Sequence, residues 1–120
     1  MLSLILLSES LSICRFRPDV PLPAMPSEGF WSITRTQDEL SLVCPSNCVP
    51  DACERREDGW RAFRVKGTLD FSLVGILAGI ASVLAEAGIS IFALSTYDTD
   101  YVLVKAESFA RALEALKKNG

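Results

Sequence analysis

No histidine occurs anywhere in the 120 residues. That removes the commonest general base at neutral pH and the commonest zinc ligand. A patterned excess of one charge is missing as well. Twelve Lys and Arg are scattered among fifteen Asp and Glu, for a formal charge of −3. Without a basic stripe or cluster, nucleic acid is a poor partner. Long hydrophobic runs are also lacking: the longest helical candidate, 73–87, falls short of the roughly 20 apolar residues a membrane span needs. The apolar start, Met1 to Leu7, has no basic residues, and Ser3, Ser8, Glu9 and Ser10 interrupt it, so it lacks the pattern of a secretory leader. A soluble, cytoplasmic chain without a membrane partner is expected.

What is present suits a small folded protein. Apolar residues make up 49% and charged residues 22%, ordinary globular usage that permits a core. Four cysteines stand at 14, 44, 48 and 53. Three and four residues separate the last three, which are not the paired C-x2-C knuckles of structural zinc sites. They read as reduced, partly buried thiols, although zinc with Cys14 as a fourth ligand is the alternative chemistry. No metal and no cofactor are expected.

Periodicity divides the chain into a vague first half and a clear second half. Leu2–Leu7 and Leu11–Phe16 read as two extended runs. Pro18, Pro21, Pro23 and Pro26 exclude a helix between Arg17 and Gly29. Phe30–Thr36 and Leu40–Cys44 form a hairpin turned at Gln37, Asp38 and Glu39. Pro45–Arg56 is a polar connection with room for one or two helical turns. Asp58-Gly59 is a turn signal, and Trp60–Lys66 is a strand. Ser72 is suited to cap a helix that Gly88 ends, with Leu73, Ile76, Leu77, Ile80, Leu84 and Ala87 on one face. Gly75, Gly79, Ser82 and Glu86 lie on the opposite face, open either to solvent or to a closely approaching element. Strands follow at Ile89–Thr96 and Tyr101–Lys105, the first with Phe92 and Leu94 expected on opposite faces. A last helix, Ser108–Lys118, turns Phe109, Ala112, Leu113 and Leu116 inward.

From Trp60 onward the order is strand, helix, strand, strand, helix, a ferredoxin-like βαββαβ pattern without its last strand. One of the two N-terminal runs is available to supply it. Left unfilled, that place is an open edge that favours a homodimer. The first half repeats the pattern with a proline-rich loop in place of the first helix.

The segments 67–77 and 88–104 resemble the signature of ACT-type domains in the CASTOR-like group, and 31–36 with 39–45 resembles that group's N-terminal half. The resemblance implies an α+β fold of two interlocked ACT-like units, the first degenerate, at 1–59 and 60–120 with strand 60–66 shared. It also implies a non-catalytic regulatory protein that binds a small molecule, an amino acid. In that group the ligand meets the turn before the first helix and the loop between the middle strands. The matching positions are Asp70, Phe71, Ser72, Leu73, Val74 and Gly75, and Thr96, Tyr97, Asp98 and Asp100.

The chemistry of those positions fits a zwitterion. A helix start offers unpaired N–H groups and a positive dipole end to a carboxylate. Gly75 leaves room for close approach, and Asp100 offers a charge for the ammonium. Asp98 is a residue of the kind that organises its own turn. An enzyme is not expected, because no nucleophile, base or acid pair is assembled: Cys44 and Cys48 have no histidine to activate them. The alternative is a structural or interaction module that dimerises through its sheet edge without a ligand.

Overall fold

Among the described residues, alternating apolar and polar side chains produce seven strands, and two apolar stripes of helical period produce two helices. The computed structural model describes residues 3–66 and 75–119. The chain divides into two units, Glu9–Trp60 and Met1–Ser8 with Arg61–Gly120.

In the N-terminal unit, β2 (Leu11–Phe16) pairs antiparallel with β4 (Leu40–Pro45), placing Cys14 opposite Leu42. The hairpin partner of β4 is β3 (Ser32–Arg35). The first half of β5 (Arg55–Val65) pairs with β2. The core consists of Cys14, Phe16, Leu40, Leu42 and Cys44, with Val20, Met25, Ile33, Cys48, Val49 and Cys53 packed against it. The prolines keep the chain after β2 non-helical. Its carbonyls are used instead by side chains: Arg35 donates to the Val20 oxygen, and Trp31 Nε1 to the Pro26 oxygen at 2.9 Å.

Asp58-Gly59 does not end an element. It is a bulge inside β5: Leu11 faces Trp60 while Ile13 already faces Glu57, so one residue is extra. Gly59 at φ +81° supplies the left-handed backbone such a bulge uses. Opposite it, the fully buried Ser12 hydroxyl donates to Asp58 Oδ1 at 2.5 Å and lies 2.8 Å from Ser46 Oγ. Arg56 Nε donates to the same Asp58 oxygen at 3.0 Å. The expected helical turn in the connection is a short 3-10 turn, Ser46–Cys48.

In the C-terminal unit, the second half of β5 pairs with β1 (Leu4–Leu6), Leu4 opposite Val65. It also neighbours β7 (Asp100–Lys105), which pairs with β6 (Phe92–Ser95). The strand missing from the ferredoxin-like order is therefore supplied by the chain's own N-terminal run. The open edge expected from its absence is filled, and that ground for a homodimer falls away. Within this unit Arg61 ties β5 to the residue after β1, donating from Nη2 and Nε to the Leu7 oxygen at 2.9 and 3.2 Å while stacking 4.3 Å over the Phe109 ring.

Helix α1 (Ile76–Glu86) buries Ile80 and Leu84, with Ile76, Leu77 and Ala87 half-buried against the same core. Its N-cap position is Gly75, at φ +86°; the expectation of a cap at Ser72 lies outside the described residues. Gly75, Gly79, Ser82 and Glu86 are exposed. The helix ends as expected at Gly88. Gly88 N donates to the Ala85 oxygen at 3.0 Å and Ile89 N to the Leu84 oxygen at 2.9 Å, the paired bonds of a Schellman motif. This motif consumes Ile89, so β6 starts later than the pattern predicts. Within β6, Phe92 and Leu94 are half-buried and alternate with exposed Ala93 and Ser95. They share a face, correcting the expectation of opposite faces, because a strand repeats every two residues.

Helix α2 (Phe109–Lys118) follows a 3-10 turn and buries Phe109 and Ala112. Ser108 occupies its N-cap position without a side-chain capping bond. Arg111 Nη1 donates to the Ala87 oxygen at 2.8 Å, so α2 caps the end of α1.

Gly88 allows a clean test, because a Cβ there would meet nothing within 4 Å but would be forced to φ +74°. Gly88→Ala is expected to lower stability by about 1–2 kcal/mol through backbone strain alone, measured by urea denaturation.

Candidate functional site

The hairpin joining β6 to β7 is held by its own hydroxyls. Thr96 N donates to the Thr99 oxygen at 2.8 Å and Thr96 Oγ1 to the same oxygen at 3.1 Å. Thr99 N returns a bond to Thr96 Oγ1 at 3.3 Å. Thr99 itself is buried, 6% exposed, and donates from Oγ1 to the Val65 oxygen at 3.1 Å. That bond fixes the loop against the end of β5, the point from which the chain leaves toward α1. Sequence reasoning missed Thr99; the signal was the Thr-x-x-Thr spacing of a hydroxyl-closed turn.

Of the expected site residues, the hairpin brings together Thr96, Tyr97, Asp98 and Asp100. Thr96 and Asp98 are exposed, and Tyr97 projects with 81% of its surface accessible. Asp100 is half-buried, and its Oδ1 accepts a bond from Ser95 Oγ at 2.6 Å. Gly75 is exposed, with open space where a Cβ would stand. Asp70, Phe71, Ser72, Leu73 and Val74 lie outside the described residues.

The N-terminal unit supplies an internal control. Its hairpin β3–β4 is the hairpin β6–β7 displaced by sixty positions, with the same strand bounds and the same register: Arg35 opposite Leu40, Ser95 opposite Asp100. The turns match as well. Thr36 N donates to the Glu39 oxygen at 2.9 Å, and Glu39 N to Thr36 Oγ1 at 3.2 Å. Asp38 stands where Asp98 stands, so an aspartate at that place is part of the turn in both. Leu40, fully buried, stands where Asp100 stands. The turn therefore forms with either side chain, and the Asp100 carboxylate is not required to build it.

A second concentration of reactive groups lies in the N-terminal core. Cys14 and Cys44 are buried; Cys48 and Cys53 are half-buried beside them. Burial, reinforced by the neighbouring Cys44 and Cys53 thiols, pushes the Cys14 thiol up to about 12. Burial also raises Cys44. Cys53 Sγ donates to the Arg55 oxygen at 3.0 Å. Among the described residues, no three Cys, Asp or Glu side chains are arranged to hold a metal ion. No helix among them is long and apolar enough to cross a membrane.

The Thr99 anchor predicts that Thr99→Val, which removes the hydroxyl bond to a Val65 carbonyl that Arg64 Nη1 also reaches at 3.2 Å, costs about 0.5–1.5 kcal/mol in urea denaturation. Tyr97→Ala, at an exposed tip, should leave stability within about 0.5 kcal/mol of the parent chain.

Comparison with known proteins adds the family context. The ACT domain model matches residues 55–118, and a second model describing an N-terminal domain matches 9–52. A crystallographic structure of an Agrobacterium tumefaciens protein superposes with a TM-score of 0.88 at 36% identity, covering 98% of this chain and 87% of that one. A Vibrio cholerae protein of unknown function, described as a possible transport protein, gives 0.72 at 24% identity, covering 98% and 88%. Clostridium acetobutylicum aspartate kinase gives a TM-score of 0.66 at 14% identity, covering 95% of this chain and 33% of the kinase. These last two show the fold. The human cytosolic arginine sensor for mTORC1 subunit 1 is 38% identical over 60 residues, 49% of this chain and 18% of the sensor. The match thus spans less than a fifth of that relative's length.

Proposed function

The chain belongs to the ACT domain family, and we propose that within it this protein is a non-catalytic regulatory module that binds a small ligand, an amino acid, at the β6–β7 hairpin. The observation that carries the reading is Asp100. It is a half-buried carboxylate at a position where the sister hairpin has a core leucine and folds the same way. A charge that the turn does not need is available to a ligand ammonium. The segment Asp70–Gly75 is proposed to face the ligand carboxylate, on the resemblance of its sequence alone.

The similarity to the arginine sensor supports membership of the CASTOR-like group and makes arginine the first ligand to try. The word cytosolic in that relative's name supports a cytoplasmic protein. A non-catalytic reading is supported by the lack of histidine and by the engagement of Asp100 with Ser95 rather than with a second acid.

Calorimetry on the full chain, with L-arginine first and the other common amino acids after it, tests the assignment. A partly buried charge-assisted bond is worth about 1.5–3 kcal/mol, so Asp100→Asn is expected to weaken binding about 10- to 100-fold. Asp98→Asn, which removes the same charge from a turn residue, should change it by less than about threefold. Equal affinity for the parent chain and Asp100→Asn would remove Asp100 from the site.

A further inference from the structure

All four cysteines of the chain gather in one place, the core of the N-terminal unit, and the ligand-binding reading uses none of them. They come from four segments: Cys14 from β2, Cys44 from β4, Cys48 from the 3-10 turn, and Cys53 from the connection ahead of β5. An apolar core needs no thiol, since valine or alanine fills such positions without redox chemistry. We propose that this cluster is a thiol–disulfide site at which a hydroperoxide oxidises Cys53 and Cys14 then closes onto it, linking β2 to the connection before β5.

Exposure and contact divide the roles. Cys14 and Cys44 are 1% and 0% exposed, so a reagent in water cannot reach them, whereas Cys48 and Cys53 are half-buried. Cys48 and Cys53 both pack against the buried cluster that holds Cys14 and Cys44. Cys44 is the poorer partner. It stands opposite Ser12, and Cys14 opposite Leu42, so the two are diagonal neighbours in a rigid ladder. Diagonal pairs have Cα atoms about 7–8 Å apart, beyond the span of a disulfide. Cys53 lies outside the paired strands, in a turn closed by Cys53 N donating to the Pro50 oxygen at 3.1 Å. The next residue, Glu54, holds this turn beside β2 by donating from N to the Arg15 oxygen at 2.9 Å. Its backbone can adjust where the ladder cannot.

The chemistry balances in two steps. The Cys53 sulfur attacks a peroxide oxygen: an S–O bond forms, the O–O bond breaks, and water or an alcohol leaves. The Cys14 sulfur then attacks the Cys53 sulfenic sulfur: the S–S bond forms, the S–O bond breaks, and water carries away the Cys14 proton. Two thiols lose two electrons, and one hydroperoxide is reduced. Burial shields Cys14 from oxidants in solvent, so what it can meet is a sulfur packed against the same core. The link closes a loop over most of the N-terminal unit and is opened again by dithiothreitol.

The test uses the full reduced chain, equimolar hydrogen peroxide, alkylation of remaining thiols under denaturing conditions, and peptide mapping by mass spectrometry. The expected product is an intramolecular Cys14–Cys53 peptide pair, two hydrogens lighter than its reduced parts, with Cys44 and Cys48 alkylated. Cys48→Ser should retain the link. Cys53→Ser should lose it and leave Cys14 fully alkylated. The proposal is overturned if Cys14 stays alkylated in the parent chain while Cys53 advances to sulfinic acid, if all four remain thiols, or if the link joins a different pair or two chains. The parent-chain map is decisive even if a variant folds poorly.

Discussion

A single buried hydroxyl fixes the part of the molecule on which the functional reading rests. Thr99 Oγ1 donates to the Val65 carbonyl and so pins the β6–β7 hairpin to the end of β5. The sister hairpin reaches the same turn by another route. There Glu39 takes the place of Thr99, and the following residue, Leu40, anchors the loop by burial in the apolar core. Moving the anchor by one residue, from the first strand position of β7 to the turn, leaves Asp100 without a packing duty. A hydrophobic anchor is worth about 1.5–3 kcal/mol for a leucine, while a hydrogen bond contributes nearer 1 kcal/mol net. The second hairpin thus exchanges some stability for a carboxylate at a defined place.

The same economy runs through both units. Each has the ferredoxin-like strand order, with a terminal strand returning beside the first: β5 beside β2 in one, β1 beside β5 in the other. The N-terminal unit has prolines where the C-terminal unit has α1, and it fills its core with sulfur as well as hydrocarbon. Helix packing, capping by Gly88 and Arg111, and the hairpin carboxylate belong to the C-terminal unit.

Much of this was legible before the structure, because periodic burial leaves a trace in composition. The stripe Ile76, Ile80 and Leu84, the stop at Gly88 and the inward face of α2 follow from spacing alone. The failures have a common cause: they depend on a partner distant in sequence. Asp-Gly reads as a turn, yet at Asp58-Gly59 the presence of β2 on both sides makes it a bulge, with Ser12 supplying the missing bond. Leu4–Leu6 is too short to be assigned a neighbour until Val65 is seen opposite it. Asp100 is proposed on resemblance. What distinguishes it from Asp98 is the register of two hairpins sixty residues apart, which is visible only once both are paired.

A ligand that binds the folded chain and not the unfolded one stabilises it by about 2.7 kcal/mol at one hundred times its dissociation constant. The most direct measurement is therefore the melting temperature of the full chain against each common amino acid at millimolar concentration. An amino-acid-binding module predicts that one amino acid, or one chemical class, raises the melting temperature in proportion to the logarithm of its concentration. A melting temperature that no amino acid moves would contradict it.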